Sequence, residues 1–125
     1  MSSNLRFNSD TGSNYQWVSH TIDSNASPAD TVDGASSANE ILLMNTISVG
    51  TDDYGIIRFT VTNPDTSDDT LWQVVGESVY SDGTDIVRVA FSGQYNGASA
   101  VTSMQFRTSA TIGGGTAFLR TIAKN

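Results

Sequence analysis

The sequence predicts an all-β domain, an antiparallel β-sandwich of jelly-roll-like type with seven or eight strands. Three observations lead there. Apolar and polar residues alternate with period two along most of the chain, as they do in half-buried strands. Ser, Thr, Asn, Asp and Gly are abundant while Glu, Lys and Leu are scarce, a balance that favours strands joined by turns. The 125 residues suit one hydrophobic core, and a chain of this length buries roughly two thirds of the surface it exposes when unfolded.

The elements follow in order. Residues 2–13 (SSNLRFNSDTGS) are polar except for Leu5 and Phe7, which are spaced two apart and so share one face of an extended segment. Residues 1–14 are therefore either an arm, with Leu5 and Phe7 anchoring it on a neighbouring subunit or shell, or a short first strand over residues 4–7. Residues 15–125 form the sandwich domain. Residues 15–23 (YQWVSHTID) carry aromatic and β-branched residues at strand spacing. Residues 24–38 (SNASPADTVDGASSA) are polar and rich in small residues, the one long connection. The apolar run at 39–47 (NEILLMNTI) predicts a strand. Residues 55–62 (GIIRFTVT) alternate most clearly, with Ile57, Phe59 and Val61 on one face, and Asn63-Pro64 ends them. Residues 70–80 (TLWQVVGESVY) turn through Ser81-Asp82-Gly83-Thr84 into residues 85–95 (DIVRVAFSGQY). After Asn96-Gly97, residues 101–108 (VTSMQFRT) and 116–122 (TAFLRTI) are the last strands, separated by Gly113-Gly114-Gly115. Val87, Val89, Phe91, Ile57, Phe59, Val61 and Phe106 are the expected core.

Composition excludes several functions. There is no cysteine, which removes disulfides, thiolate zinc sites and thiol nucleophiles together. The net charge is −7, from 13 acidic and 6 basic residues, and the basic residues are scattered (Arg6, Arg58, Arg88, Arg107, Arg120, Lys124). Phosphate backbones are bound by clustered Lys and Arg, so neither a nucleic-acid partner nor an anionic membrane surface is expected. The opening residues lack the basic and apolar regions of a signal peptide, so none is expected there.

No motif announces catalysis, and no enzyme is expected. The sole histidine, His20, lies in a predicted strand and no G-x-S-x-G turn accompanies it. The acids sit mostly in turns (Asp52-Asp53, Asp65, Asp68-Asp69, Asp82, Asp85), where aspartate bonds to nearby amides; Glu40 and Glu77 lie in strands but do not pair as a glycosidase dyad. Residues 63–69 (NPDTSDD) gather three carboxylates without the spacing of a calcium loop. Gly113–Gly115 precedes a strand and lacks the residues of a phosphate cradle, and the Asn25-Ala26-Ser27 sequon is followed by Pro28. Neither metal nor cofactor is expected. Tyr15, Trp17, Trp72 and Tyr80 are candidate platforms for a sugar ring, set against the commoner role of strand aromatics in filling a core.

One family likeness covers about two thirds of the chain, chiefly its second half, on motifs placed between Tyr15 and Leu119. A strand at Tyr15 to Val18 precedes Gly55-x-Ile57-x-Phe59-x-Val61 closing on Asn63-Pro64. Then come Trp72-x-Val74-x-Gly76, Ser92-Gly93-x-Tyr95, Ala100-Val101-Thr102-Ser103-Met104-x-Phe106 and Gly115-Thr116-Ala117-x-Leu119. In this order the motifs resemble a β-sandwich domain that recurs in tailed-phage virion proteins, both tail-associated and head-decorating. Arg120-Thr121 stand where that family's ending carries Tyr-Gly. The resemblance implies a structural component of a phage particle, without cofactor or turnover. A chain of this size without fibrous repeats points to a capsid decoration, or cement, protein. Its implied partners are itself, as a homotrimer, and the major capsid protein, and its place is the capsid surface after synthesis in the host cytoplasm. The alternative is a carbohydrate-binding or host-attachment module of a phage tail, which would contact a host glycan.

Overall fold

A computed structural model describes residues 2–25, 30–44, 54–64, 67–81, 85–109 and 116–120. Among these there is no helix. The strands are β1 (Ser3–Phe7), β2 (Tyr15–Asp23), β3 (Asp30–Ala38), β4 (Ile41–Met44), β5 (Tyr54–Thr62), β6 (Leu71–Ser81), β7 (Ile86–Asn96) and β8 (Met104–Thr108). They form two antiparallel sheets, one of three strands in the order β4-β1-β8 and one of five in the order β3-β2-β7-β6-β5. The expected antiparallel sandwich is what the chain adopts. β1 pairs with β8 and β2 with β7, so early strands lie against late ones, and β6 and β5 extend the larger sheet from β7.

Alternation sets the inner face of the larger sheet. Tyr15, Ser19, Val74, Ser78, Tyr80, Val87, Val89, Phe91 and Tyr95 are buried there, with Ile57, Phe59 and Val61 of β5 half-buried beside them. The small sheet faces this surface with Leu5, Phe7, Ile41, Leu43 and Met44. Gly93 of β7 is what lets the layers meet. The Ile41 side chain sits over it so closely that a Cβ at Gly93 would lie 2.6 Å from Ile41 Cγ2. Nearby, the Ser78 hydroxyl donates to the Leu43 carbonyl at 3.1 Å, a buried polar link between the layers.

The structure corrects four expectations. Leu5 and Phe7, expected as an assembly anchor if residues 1–14 were an arm, are 0% and 1% exposed. Their strand is the centre of the small sheet, hydrogen-bonded on both sides, so these two side chains belong to this chain's own core. Second, residues 24–38 are not all loop: β3 pairs with β2 over most of its length. Its side chains are almost all exposed, so backbone pairing at a sheet edge made the strand without any apolar alternation. Third, Phe106 is not core but 47% exposed. It shares the inward face with its partner Leu5, yet β8 is an edge strand whose main contacts are with β1 alone among the strands. Fourth, residues 116–120 are in no strand. Shorter differences are in bounds: the strand expected over 39–47 is described as β4, with residues 45–47 outside the described residues, and the strand expected over 101–108 begins at Met104. Asp82, Gly83, Thr84 and Gly113–Gly115 of the two glycine-containing connections also lie outside the described residues.

Candidate functional site

A dense polar constellation lies where β1 turns towards β2. Asn8 and Ser9 both have positive φ (52° and 56°), a conformation that asparagine tolerates better than most residues. From there the Asn8 side chain grips the approach to β8: its amide donates to the Ala100 carbonyl at 2.9 Å, and its Oδ1 accepts from the N–H groups of Thr102 (2.8 Å) and Ser103 (3.2 Å). Asp10 accepts from the Gly12 N–H at 2.7 Å and the Asn14 amide at 2.8 Å, and the Tyr95 hydroxyl donates to it at 3.1 Å. The Tyr15 hydroxyl accepts from the Phe7 N–H at 3.0 Å and lies 3.1 Å from the Phe7 carbonyl, with its ring centroid 4.7 Å from that of Tyr95 and the two rings tilted by 36°.

Electrostatics follow from these bonds. The Asn14 and Gly12 hydrogen bonds hold the Asp10 carboxyl below its usual range. Burial pushes the Tyr15 phenol up, and burial together with the bond to Asp10 pushes Tyr95 up to about 12. Both tyrosines are therefore held protonated. The donors and acceptors of this cluster are spent on one another and on the backbone, so its chemistry is that of a clasp holding β1, β2, β7 and the approach to β8.

The residues considered for chemistry are dispersed. His20 lies on the outer face of the larger sheet, with Nε2 3.3 Å from Asp30 Oδ2 in an exposed pair. Glu40 sits in the turn before β4, bound by Arg6 at 3.1 Å and Arg107 at 2.9 Å, and Glu77 accepts from Arg88 at 2.8 and 3.0 Å. In the 63–69 loop, Asp68 accepts from the Thr70 N–H and the Asp69 carbonyl accepts from the Trp72 indole, while Asp65 lies outside the described residues. Among the described residues no three His, Asp or Glu side chains gather closely enough to share a cation. Ala26 and Ser27 of the sequon, and Asp52-Asp53, are also outside the described residues. The four aromatic sugar platforms all point inward. Tyr15 and Tyr80 are buried, and Trp17 and Trp72 are half-buried against the core.

What remains is a surface. On the outer face of the larger sheet the registers align Ile22, Arg88, Val79 and Ile56 in one row, and Val18, Ser92, Val75 and Thr60 in another. Between them runs the row His20, Ala90, Glu77 and Arg58; beyond them lies Gln16, Gln94, Gln73 and Thr62. Val18, Ile22, Val32, Ile56, Val75, Val79 and Ile86 are all exposed. The small residues Ala90 and Ser92 make β7 a low line between taller neighbours. Two shallow grooves result: one bounded by Val18, Val75, Gln16, Gln73 and Gln94, the other by Arg58, Glu77 and Arg88. Apolar side chains scattered singly are ordinary on a protein surface; here Ile22, Val79 and Ile56 share one row and Val18 and Val75 another, with the more polar row between them.

Sequence reasoning passed over this face, although a signal was there. Trp17-Val18, Ile56-Ile57, Val74-Val75, Val79-Tyr80 and Ile86-Val87 are apolar doublets within strands. Adjacent strand residues point to opposite sides, so each doublet places one apolar group in the core and one outside. Among known proteins, no family model, curated protein or solved structure matches this chain. The class that the fold and surface define is an eight-strand β-sandwich, counted over the described residues, with an apolar outer face on its larger sheet.

Proposed function

We propose that this chain is a non-catalytic structural protein of a phage particle, a capsid decoration protein that packs against the major capsid protein and against copies of itself as a trimer. The observation that supports this reading is the apolar outer face of the five-stranded sheet, centred on Val18, Val75, Val79 and Ile56. Such a face gains by being covered, because apolar area removed from water contributes about 25 cal/mol per Å². The mixed charge of Arg58, Glu77 and Arg88 within the same face supplies orientation. The phage setting and the trimer rest on the family resemblance, carried chiefly by the second half of the chain.

The second reading, a glycan-binding module of a phage tail, is favoured by one feature only, the row Gln16, Gln94 and Gln73, whose amides can bond to sugar hydroxyls. No described Trp, Tyr or Phe side chain adjoins that row on the outer face, so it lacks the stacking surface on which sugar sites usually rely.

Val75→Lys and Val79→Lys together test the first reading. Both positions are exposed, so the doubly substituted protein should melt close to the native one. Light scattering should show that it no longer forms the trimer, and co-sedimentation should show that it no longer binds particles. Equal binding by native and substituted protein would sink the proposal. Counting copies per purified particle by mass spectrometry then separates the two readings: numbers matching the capsid subunits support decoration, and a handful supports the tail.

A further inference from the structure

We infer that Asp33-Gly34 is a site of self-modification, where the chain isomerises its own aspartate to isoaspartate through a cyclic imide. A contact carries the inference. The Gly34 N–H donates to Oδ1 of the preceding Asp33 at 2.8 Å, so the nitrogen that must attack already lies beside the carboxyl group it attacks. Both residues are exposed on β3, the strand at one end of the five-stranded sheet, where water reaches them. Glycine brings no side chain to hinder the approach. The fold itself requires that glycine, since a Cβ at Gly34 would lie 2.9 Å from the Trp17 carbonyl oxygen.

The chemistry balances with water alone. Gly34 N bonds to Asp33 Cγ while one carboxyl oxygen leaves, taking the amide proton and one proton from solvent to depart as water. Water then opens the five-membered imide at the Asp33 backbone carbonyl. The main chain afterwards runs through Cβ and Cγ, one atom longer, and the former backbone carbonyl is the free carboxylate. Sequence alone places such chemistry elsewhere. The chain has one Asn-Gly pair, Asn96-Gly97, beside the Asp-Gly pairs at 33 and 82, and a neutral amide is attacked more readily than a carboxylate. In the structure, however, Asn96 ends β7 in register with Leu71, and the Gly97 N–H is given to the Thr70 carbonyl at 3.2 Å. Its nitrogen is tied to a neighbouring segment, whereas that of Gly34 faces the side chain before it. Asp82-Gly83 lies outside the described residues. Isomerisation at Asp33 has a structural consequence. The longer main chain shifts the end of β3 against β2, where Gly34, Ala35 and Ala38 pair with Val18, Trp17 and Tyr15. Ala35 and Ser36 line the outer-face groove beside Val18, so the modified chain presents an altered groove.

The test follows the full chain over weeks at physiological temperature and neutral pH, one sample folded and one in guanidinium chloride. Each is digested and mapped by mass spectrometry with fragmentation that distinguishes isoaspartate from aspartate; the imide shows as the loss of one water. In the folded sample, isoaspartate and imide at Asp33 should exceed product at Asn96 by about tenfold. In denaturant the order should reverse. Asp33→Glu keeps the charge but would need a ring one atom larger, so the signal at this position should vanish. The position is exposed, so that variant should melt like the native chain. Product at Asn96 ahead of Asp33 in the folded sample would overturn the inference. So would an unmodified Asp33, or the same order of products in folded and unfolded chain.

Discussion

Leu5→Ala measures whether β1 is part of the fold or an accessory to it. Leu5 is fully buried in the cluster with Phe7, Tyr15, Ile41, Leu43, Val74, Phe91 and Tyr95. The substitution removes three carbons, worth about 2.4 kcal/mol at about 0.8 kcal/mol for each buried methylene. The cavity left between two sheets adds to this, for a total of about 3–4 kcal/mol. For 125 residues the entropy of unfolding near the midpoint is about 0.26 kcal/mol/K, so Tm should fall by about 12–15 °C. Calorimetry and urea titration, with the slope unchanged between variants, give the value. Phe106→Ala is the control. It lies on the same inward face but is half exposed, and its cost should stay below about 1 kcal/mol. A Leu5→Ala protein melting within about 2 °C of the native one would refute the reasoning, because a buried leucine at the centre of the small sheet cannot be removed at so low a cost.

Two further outcomes follow from the packing and the clasp. Gly93→Ala places a methyl against the fully buried Ile41 and should cost about 1–3 kcal/mol. Ile41→Val, which removes the Cδ1 atom 2.8 Å from that position, should make the double substitution cheaper than the sum of the singles in urea titration. Tyr95 has its folded pKa raised to about 12 from 10.0, so its contribution is complete below pH 10 and is lost as pH rises towards 12. Asp10 is depressed below 3.8, so its contribution is present above that value and is lost as pH falls through the folded pKa. Melting curves of the native protein and of Tyr95→Phe should therefore differ by about 1–2 kcal/mol at neutral pH and converge at both extremes.

The sheet-forming half of the chain was legible because burial leaves a periodic trace. Ile57, Phe59 and Val61 alternate with Arg58, Thr60 and Thr62, and the structure turns the first set inward. Two things leave no such trace. β3 is an edge strand whose side chains are exposed, so backbone hydrogen bonds to β2 define it and its residues read as loop. The extent of the opposing layer is equally silent. Alternation placed Phe106 on the correct face of its strand, but how far that strand projects past its neighbour depends on a pairing with Leu5, one hundred residues earlier. The apolar outer face lay in between. Its doublets were visible as residues, but each was absorbed into the strand reading, since only the register across four strands shows that their outward halves share one face.

That pairing of Ser3–Phe7 with Met104–Thr108 has a consequence in time. β1 finds one of its two partners only after about one hundred further residues have been made. The larger sheet contains local hairpins, β5 with β6 and β6 with β7, which form within microseconds, whereas closing the small sheet requires a loop of about one hundred residues. Refolding should therefore belong to the slow, millisecond-to-second regime of non-local β proteins. Until it finishes, Leu5 and Phe7 are the exposed groups on which an early, wrong association would start.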